Sequence, residues 1–278
     1  MSITTEEIKN VVLVEDDFGH EMRVGNILTN PTYPPVHYAQ ARVMAPRHGG
    51  TYKDQVTGKT RQFDYRCQIS RNYRSPVNIF LAVECKNLNP DFPVVVCGRQ
   101  RTREESCHLF IEIGHDGKSQ SKIVEGANSF YKPNSFVGKS LLRLRKKDNR
   151  LCADGDSEVY DRWSQAVASS HDLAFAAANN KSSHPYFAFV MPVVVVPDNS
   201  LWIVTYNDDG LIAGDPIQVN QSDFYIDHKL LIGLPFALTH IHFVTLKGLS
   251  ELVSTFANAD AYQWDQIFNH ASSDFAPA

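Results

Sequence analysis

The chain has 278 residues, 43% of them hydrophobic and 21% charged, a balance that excludes large-scale disorder. Its length suits one core with elaborations better than two full domains. A net charge of −4 excludes a uniformly basic nucleic-acid coat, so any nucleic-acid contact must use local patches.

Ser2-Ile3-Thr4-Thr5-Glu6-Glu7 reads as a helix start, with Thr4 or Thr5 as cap and acids in the first turn. A second helix is predicted over 17–28, with Phe18, Met22, Gly25 and Leu28 on one face. Asn30-Pro31 and the prolines at 34 and 35 stop it. Strands are predicted over 36–44, 61–69 and 78–86. The third is apolar on both faces until Glu84, as a central strand should be. Residues 88–155 read as an insertion, with short strands at 93–97 and 109–113 and a basic cluster of Arg143, Arg145, Lys146, Lys147 and Arg150. A helix follows over 158–179, then a buried strand over 186–196. Further strands are predicted over 199–206 and 236–245, and a helix over 248–256.

Helix, three strands, insertion, helix, strand and additions make a mixed α/β (α+β) protein with a mixed sheet. The expected organisation is a core over 1–206, carrying the insertion, and a β-rich C-terminal extension over 207–278 packed on the same globule. The five cysteines, Cys67, Cys85, Cys97, Cys107 and Cys152, are odd in number and lack CxxC spacing. They argue against a disulfide framework and for a reducing cytoplasm. The acidic opening segment lacks a secretory pattern, and no apolar run is long enough to span a bilayer.

The chemistry sits at the end of the third predicted strand. Residues two apart on a strand share a face, so Glu84 and Lys86 point the same way. If the second and third strands pair, Asp64 lies beside Glu84. Isolated charges after so apolar a run would be costly. They need each other, a metal, or both. Two carboxylates fit Mg²⁺ or Mn²⁺, which bind through oxygen and keep waters and substrate phosphate. The plainer alternative is a cross-strand ion pair.

Asp64, followed twenty positions later by Glu84-Cys85-Lys86 on an apolar strand, resembles the PD-(D/E)xK, or restriction-endonuclease-like, nuclease superfamily. The run Ala82-Val83-Glu84-Cys85-Lys86 is similar to the corresponding strand of Mrr-like and related type IV restriction nucleases. That resemblance implies an αβββαβ core and Mg²⁺- or Mn²⁺-dependent hydrolysis of nucleic-acid phosphodiesters, DNA by preference, in restriction or host defence. Asp64 and Glu84 would hold metal and Lys86 would assist catalysis. It further implies a metal-holding glutamate on an early helix, for which Glu21 is the best position, and a glutamine near the site, for which Gln165 and Gln100 are the candidates. Members often act as homodimers. Phe63 stands where the family's name-giving proline would be. A catalytically inactive relative that binds nucleic acid or a protein partner is the rival expectation.

Other features are weaker. Val137-Gly138-Lys139-Ser140 resembles the end of a P-loop, but Pro133 replaces the required glycine, so an NTPase is excluded and only a phosphate contact by Lys139 stays open. Arg99, Arg101, Arg143 and Arg145 are candidate nucleic-acid contacts, joined by Arg71, Arg74 and Arg103. His240 and His242 share a strand face without an evident third zinc ligand, and Cys85 should pack in the core.

Overall fold

A computed structural model describes residues 3–15, 17–30, 41–71, 76–86, 88, 93–147, 150–153, 156–180, 184–258 and 267. The chain begins with α1 (Thr5–Glu15) and α2 (Phe18–Thr29). Short strands β1 (Ala41–Val43) and β2 (Arg47–His48) precede a hairpin of β3 (Thr51–Lys53) and β4 (Thr60–Gln62). Then come β5 (Tyr65–Arg71), β6 (Val77–Cys85), β7 (Val94–Gln100), β8 (Cys107–Ile113) and β9 (Ser119–Glu125). The long β10 (Phe136–Lys147) turns back into β11 (Arg150–Ala153). After α3 (Asp156–Ala178) follow β12 (Tyr186–Val196), β13 (Leu201–Thr205), β14 (Ile217–Gln218), β15 (Gln221–Leu231), β16 (Pro235–Thr245) and α4 (Leu246–Asn258).

Among the described residues, fourteen strands form one mixed sheet whose main path runs β1-β5-β6-β12-β16-β15-β10-β7-β13-β14. The mixed α/β class is therefore as expected. β5 and β6 are antiparallel, and β6 runs parallel to β12, which runs parallel to β16. A parallel neighbour needs a crossover, and α3 supplies it. One sheet face packs on α3 through Val190, Val194 and Phe243. The other packs on α2 and α4 through Val24, Leu28, Leu249 and Val253. β12 is buried along its length because both its edges and both its faces are covered. The strands between β6 and α3, with β13, β15 and β16, continue this sheet rather than forming a separate one.

Thr4 caps α1 reciprocally with Glu7: the Glu7 N–H donates to Thr4 Oγ1 at 3.2 Å, and the Thr4 N–H donates to Glu7 Oε2 at 2.8 Å. Two expectations need correction. The α2 face buried is His20, Val24 and Leu28, while Phe18 and Met22 are exposed at 55% and 48%. Both stripes have helical spacing; the buried one also lets His20 Nε2 reach the Val195 carbonyl at 3.2 Å. The predicted strand over 61–69 is broken at Phe63-Asp64: its first part pairs only with β3, in a two-stranded sheet of its own. β9, β10 and β15 have no counterpart among the strands the sequence predicts. Residues 36–40, Arg74 and the tail after Phe268 lie outside the described residues. No helix among those described is long and apolar enough to cross a membrane.

Candidate active site

The antiparallel register Tyr65↔Val83, carried one residue further, sets Asp64 opposite Glu84. Asp64 stands just before β5, where the ladder has no residue left to receive the Cys85 N–H. Its own carboxylate takes that bond: the Cys85 N–H donates to Asp64 Oδ2 at 2.7 Å. On the other edge, the Lys86 N–H donates to the Val195 carbonyl at 2.8 Å. The end of β6 is thereby fixed from both sides.

Glu84 and Lys86 share a face, as strand geometry requires. Lys86 Nζ donates to Glu84 Oε1 at 2.5 Å and reaches Gln165 Oε1, on α3, at 3.5 Å. Glu84 is only 4% exposed. Burial, reinforced by the charge of Asp64, pushes its carboxyl up to about 7 despite the Lys86 ammonium. Burial also raises the Asp64 carboxyl, against the Cys85 hydrogen bond and Lys86. A buried Glu84 whose ionisation Asp64 opposes, beside one amine, makes an electrostatically incomplete site. Added positive charge would favour ionisation of both.

Glu21 does not join them directly. Its Oε2 lies 3.1 Å from His48 Nε2, and that imidazole stacks on Tyr65. Its charge still acts on both Asp64 and Glu84. Among the described residues, no group of three or more His, Cys, Asp or Glu side chains is gathered closely enough to hold an ion.

A small cavity of about 30 Å³ is lined by Lys86, Arg143 and Trp163 with Leu88, Val94 and Val194. Arg143 therefore stands beside the site, and Arg145 lies exposed two residues further along the same face of β10. The remaining basic candidates are elsewhere. β7 leads away from that cavity at Val94, and Gln100 lies six residues along it, about 20 Å at the strand rise of ~3.3 Å per residue. Arg99 and Lys139 are both paired with Glu105, at 2.9 and 2.5 Å. Arg101 is 2% exposed. It donates to Ser135 Oγ at 2.6 Å and Asp223 Oδ2 at 3.0 Å. Arg71 is also buried and donates to the Phe256 carbonyl at 3.1 Å. Neither guanidinium presents itself to a ligand.

Arg101 belongs to an interior polar network. Asp223 Oδ1 lies 3.0 Å from His242 Nδ1, and His242 Nε2 lies 2.7 Å from the Tyr131 hydroxyl. His242 thereby bridges Asp223 and the Tyr131 hydroxyl. His240 stacks on Tyr131 with centroids 3.6 Å apart. Both predicted strand histidines are thus packed inside. Cys85 is buried, as expected.

Two site neighbours carry no sequence signal. Tyr52, on the β3–β4 hairpin, is buried and donates through its hydroxyl to the Gln165 carbonyl at 3.4 Å. Arg66 donates to Asp172 Oδ2 at 2.8 Å and lies over the rings of Phe63 and Tyr52, at 4.4 and 5.0 Å. Together they clamp the hairpin to α3 beside Lys86.

Comparisons with protein-family models, curated proteins and solved structures find no match for this chain.

Proposed function

We propose that this chain is a metal-dependent nuclease of the PD-(D/E)xK kind, hydrolysing nucleic-acid phosphodiesters, DNA by preference, in restriction or host defence. The observation that carries this reading is the meeting of Asp64, Glu84 and Lys86 at one end of β6, with Asp64 opposite Glu84 and Lys86 2.5 Å from Glu84. The run α2, β1, β5, β6, α3, β12, with β12 parallel to β6, supports it as an αβββαβ order. The five thiols, all unpaired, suit a reducing cytoplasm.

The donor set fits a hard divalent cation. Asp64 and Glu84 offer carboxylate oxygens, and magnesium takes one or two of these while keeping waters and phosphate oxygens. When bound, magnesium or manganese supplies polarisation of the scissile phosphate and a water of lowered pKa. Asp64, held by the Cys85 amide, contributes a fixed acceptor. Glu84 contributes the second, in its ionised form. Lys86 brings one positive charge and three N–H donors, to orient the attacking water and offset charge on the phosphate. Gln165 steadies the Lys86 ammonium. Glu21 would need to leave His48 to serve as a third ligand.

The test uses purified protein, supercoiled plasmid and single-stranded substrates, with magnesium or manganese. Cleavage by the native chain, at least about 100-fold weaker in Lys86→Ala with an unchanged melting temperature, is expected from loss of a group acting at the reacting phosphate. Full activity in Lys86→Ala would overturn the assignment. Calorimetric titration with manganese should show binding that Glu84→Ala loses. Failure of the native chain to cut or to bind manganese would leave Glu84–Lys86 as an ion pair only.

A further inference from the structure

The β3–β4 ribbon hydrogen-bonds to no other strand in the described structure, yet it is built firmly. At its root, Tyr52 and Phe63 are buried beneath the Arg66 guanidinium. At its tip, Asp54 Oδ1 accepts from the Val56 and Thr57 N–H groups at 2.9 and 3.2 Å. Asp54 Oδ2 accepts from Arg61 Nε at 2.6 Å, and Gly58 takes a φ of +68°. The one acid of the ribbon is therefore turned inward and neutralised. The outward side chains are Thr51, Lys53, Lys59, Thr60 and Gln62, with Val56 at the apex, all exposed. In a chain of net charge −4, this arm presents hydroxyls, an amide, two ammonium groups and one apolar tip, and no carboxylate.

We propose that the site takes double-stranded DNA of B form and that the β3–β4 ribbon enters its major groove. The inference rests on the nuclease reading and narrows its substrate. A two-stranded ribbon, with strands ~4.8 Å apart, fits a groove about 12 Å wide. The deep, narrow major groove of A-form RNA does not admit it. Threonine and glutamine are side chains that read base edges, an apolar tip suits the thymine methyl, and lysines hold phosphates. Connectivity gives the ribbon its place. Gln62 is separated from Asp64 by Phe63 alone, a span of about 7 Å on an extended chain. A ribbon lying in the groove therefore brings a flanking phosphate to the Asp64–Glu84 pair. Beyond Lys86, Arg143 lines the adjoining cavity, and the exposed Arg145 on the same face of β10, with Arg150 on the paired β11, extends the basic surface for the same backbone.

The native chain is tested in EDTA, so that cleavage cannot intervene. Fluorescence anisotropy is measured with a 20-base-pair DNA duplex and an RNA duplex of the same sequence, across a salt series. Expected are at least about tenfold tighter binding to DNA, and a similar loss in a Lys53→Ala/Lys59→Ala double variant. That variant's salt slope should flatten by about 2, as for two lost phosphate contacts. Thr51→Ala/Gln62→Ala should reduce discrimination among DNA sequences while leaving the slope in place. Equal or better binding to RNA, or an unaltered affinity and slope in the lysine variant at unchanged melting temperature, overturns the proposal. Plasmid cleavage in magnesium, measured alongside, keeps the two readings apart. A chain that cuts normally in the lysine variant loses the ribbon assignment alone. A chain that never cuts but binds duplex DNA through the ribbon loses the enzyme reading alone.

Discussion

Asp64 and Cys85 meet through a bond that substitutes for a missing strand residue: the Cys85 N–H donates to Asp64 Oδ2 at 2.7 Å. Asp64 thus has a structural duty besides the chemical one proposed for it. Asp64→Asn keeps an acceptor oxygen and should fold normally while losing cleavage. Asp64→Ala leaves a buried amide unpaired, at a cost of about 1–3 kcal/mol. Its melting temperature should fall by roughly 5 °C, measured calorimetrically. Equal stability of the two variants would show that the bond is idle.

Glu84 sets a pH dependence. Its folded-state carboxyl, raised to about 7 by burial and then by Asp64, binds its proton more tightly than the same group unfolded, near ~4.3. The stabilisation is complete below the unfolded value and is lost as pH rises through about 7. The difference corresponds to roughly 3.7 kcal/mol at most. In chelator, melting temperature should therefore fall between about pH 4.5 and 7.5, and Glu84→Gln should remove much of that slope. Magnesium should restore stability at pH 8, and at about pH 6.5–7, where Glu84 still holds its proton in part, its binding should release protons, which titration calorimetry in two buffers can read.

Gly98 and Gly138 face each other where β10 shifts register against β7. A Cβ on Gly98 would lie 2.0 Å from the Val137 carbonyl oxygen, and one on Gly138 would lie 2.3 Å from a Val96 methyl. Backbone contact at this bulge, not phosphate binding, accounts for the glycine in the P-loop-like run. Gly98→Ala should destabilise by about 1–3 kcal/mol or more, seen in urea melts. Wild-type stability would refute this account.

Removing Asp223 should be worse than removing any surface acid. It would leave the Arg101 guanidinium buried without its carboxylate, a loss of about 3 kcal/mol or more. Burial works to raise the Asp223 carboxyl, but His242 first, then His240 and Arg101, hold it well below the usual range. Asp223→Ala should lower the melting temperature by on the order of 10 °C. Tyr131→Phe, which loses one hydrogen bond to His242, should cost about 1 kcal/mol.

The legibility of the sequence followed burial. β6 and β12 stand out because a strand covered on both faces is apolar throughout, and α3 because its stripe is regular. Asp64 opposite Glu84 follows from the antiparallel register. β15 was hidden because a bulge between Tyr225 and His228, with Asp227 at a φ of +44°, breaks its alternation. The α2 face is ambiguous in the sequence because two stripes of helical spacing share one helix, and the packing of Val24 and Leu28 with the His20 contact to Val195 decides between them. The burial of Arg101 was invisible because its partner, Asp223, lies 122 residues away.

β6 is completed on one side within a hairpin, but its other neighbour is far downstream: Val77 pairs with Phe187, 110 residues later. At ribosomal speeds of about 5–20 residues per second, that partner takes some 5–20 s to be made. Meanwhile one long, apolar edge of the nascent chain lies open, an invitation to sticking. Yield in cells should therefore respond to chaperone supply and slow, cool expression more than the final stability alone would suggest.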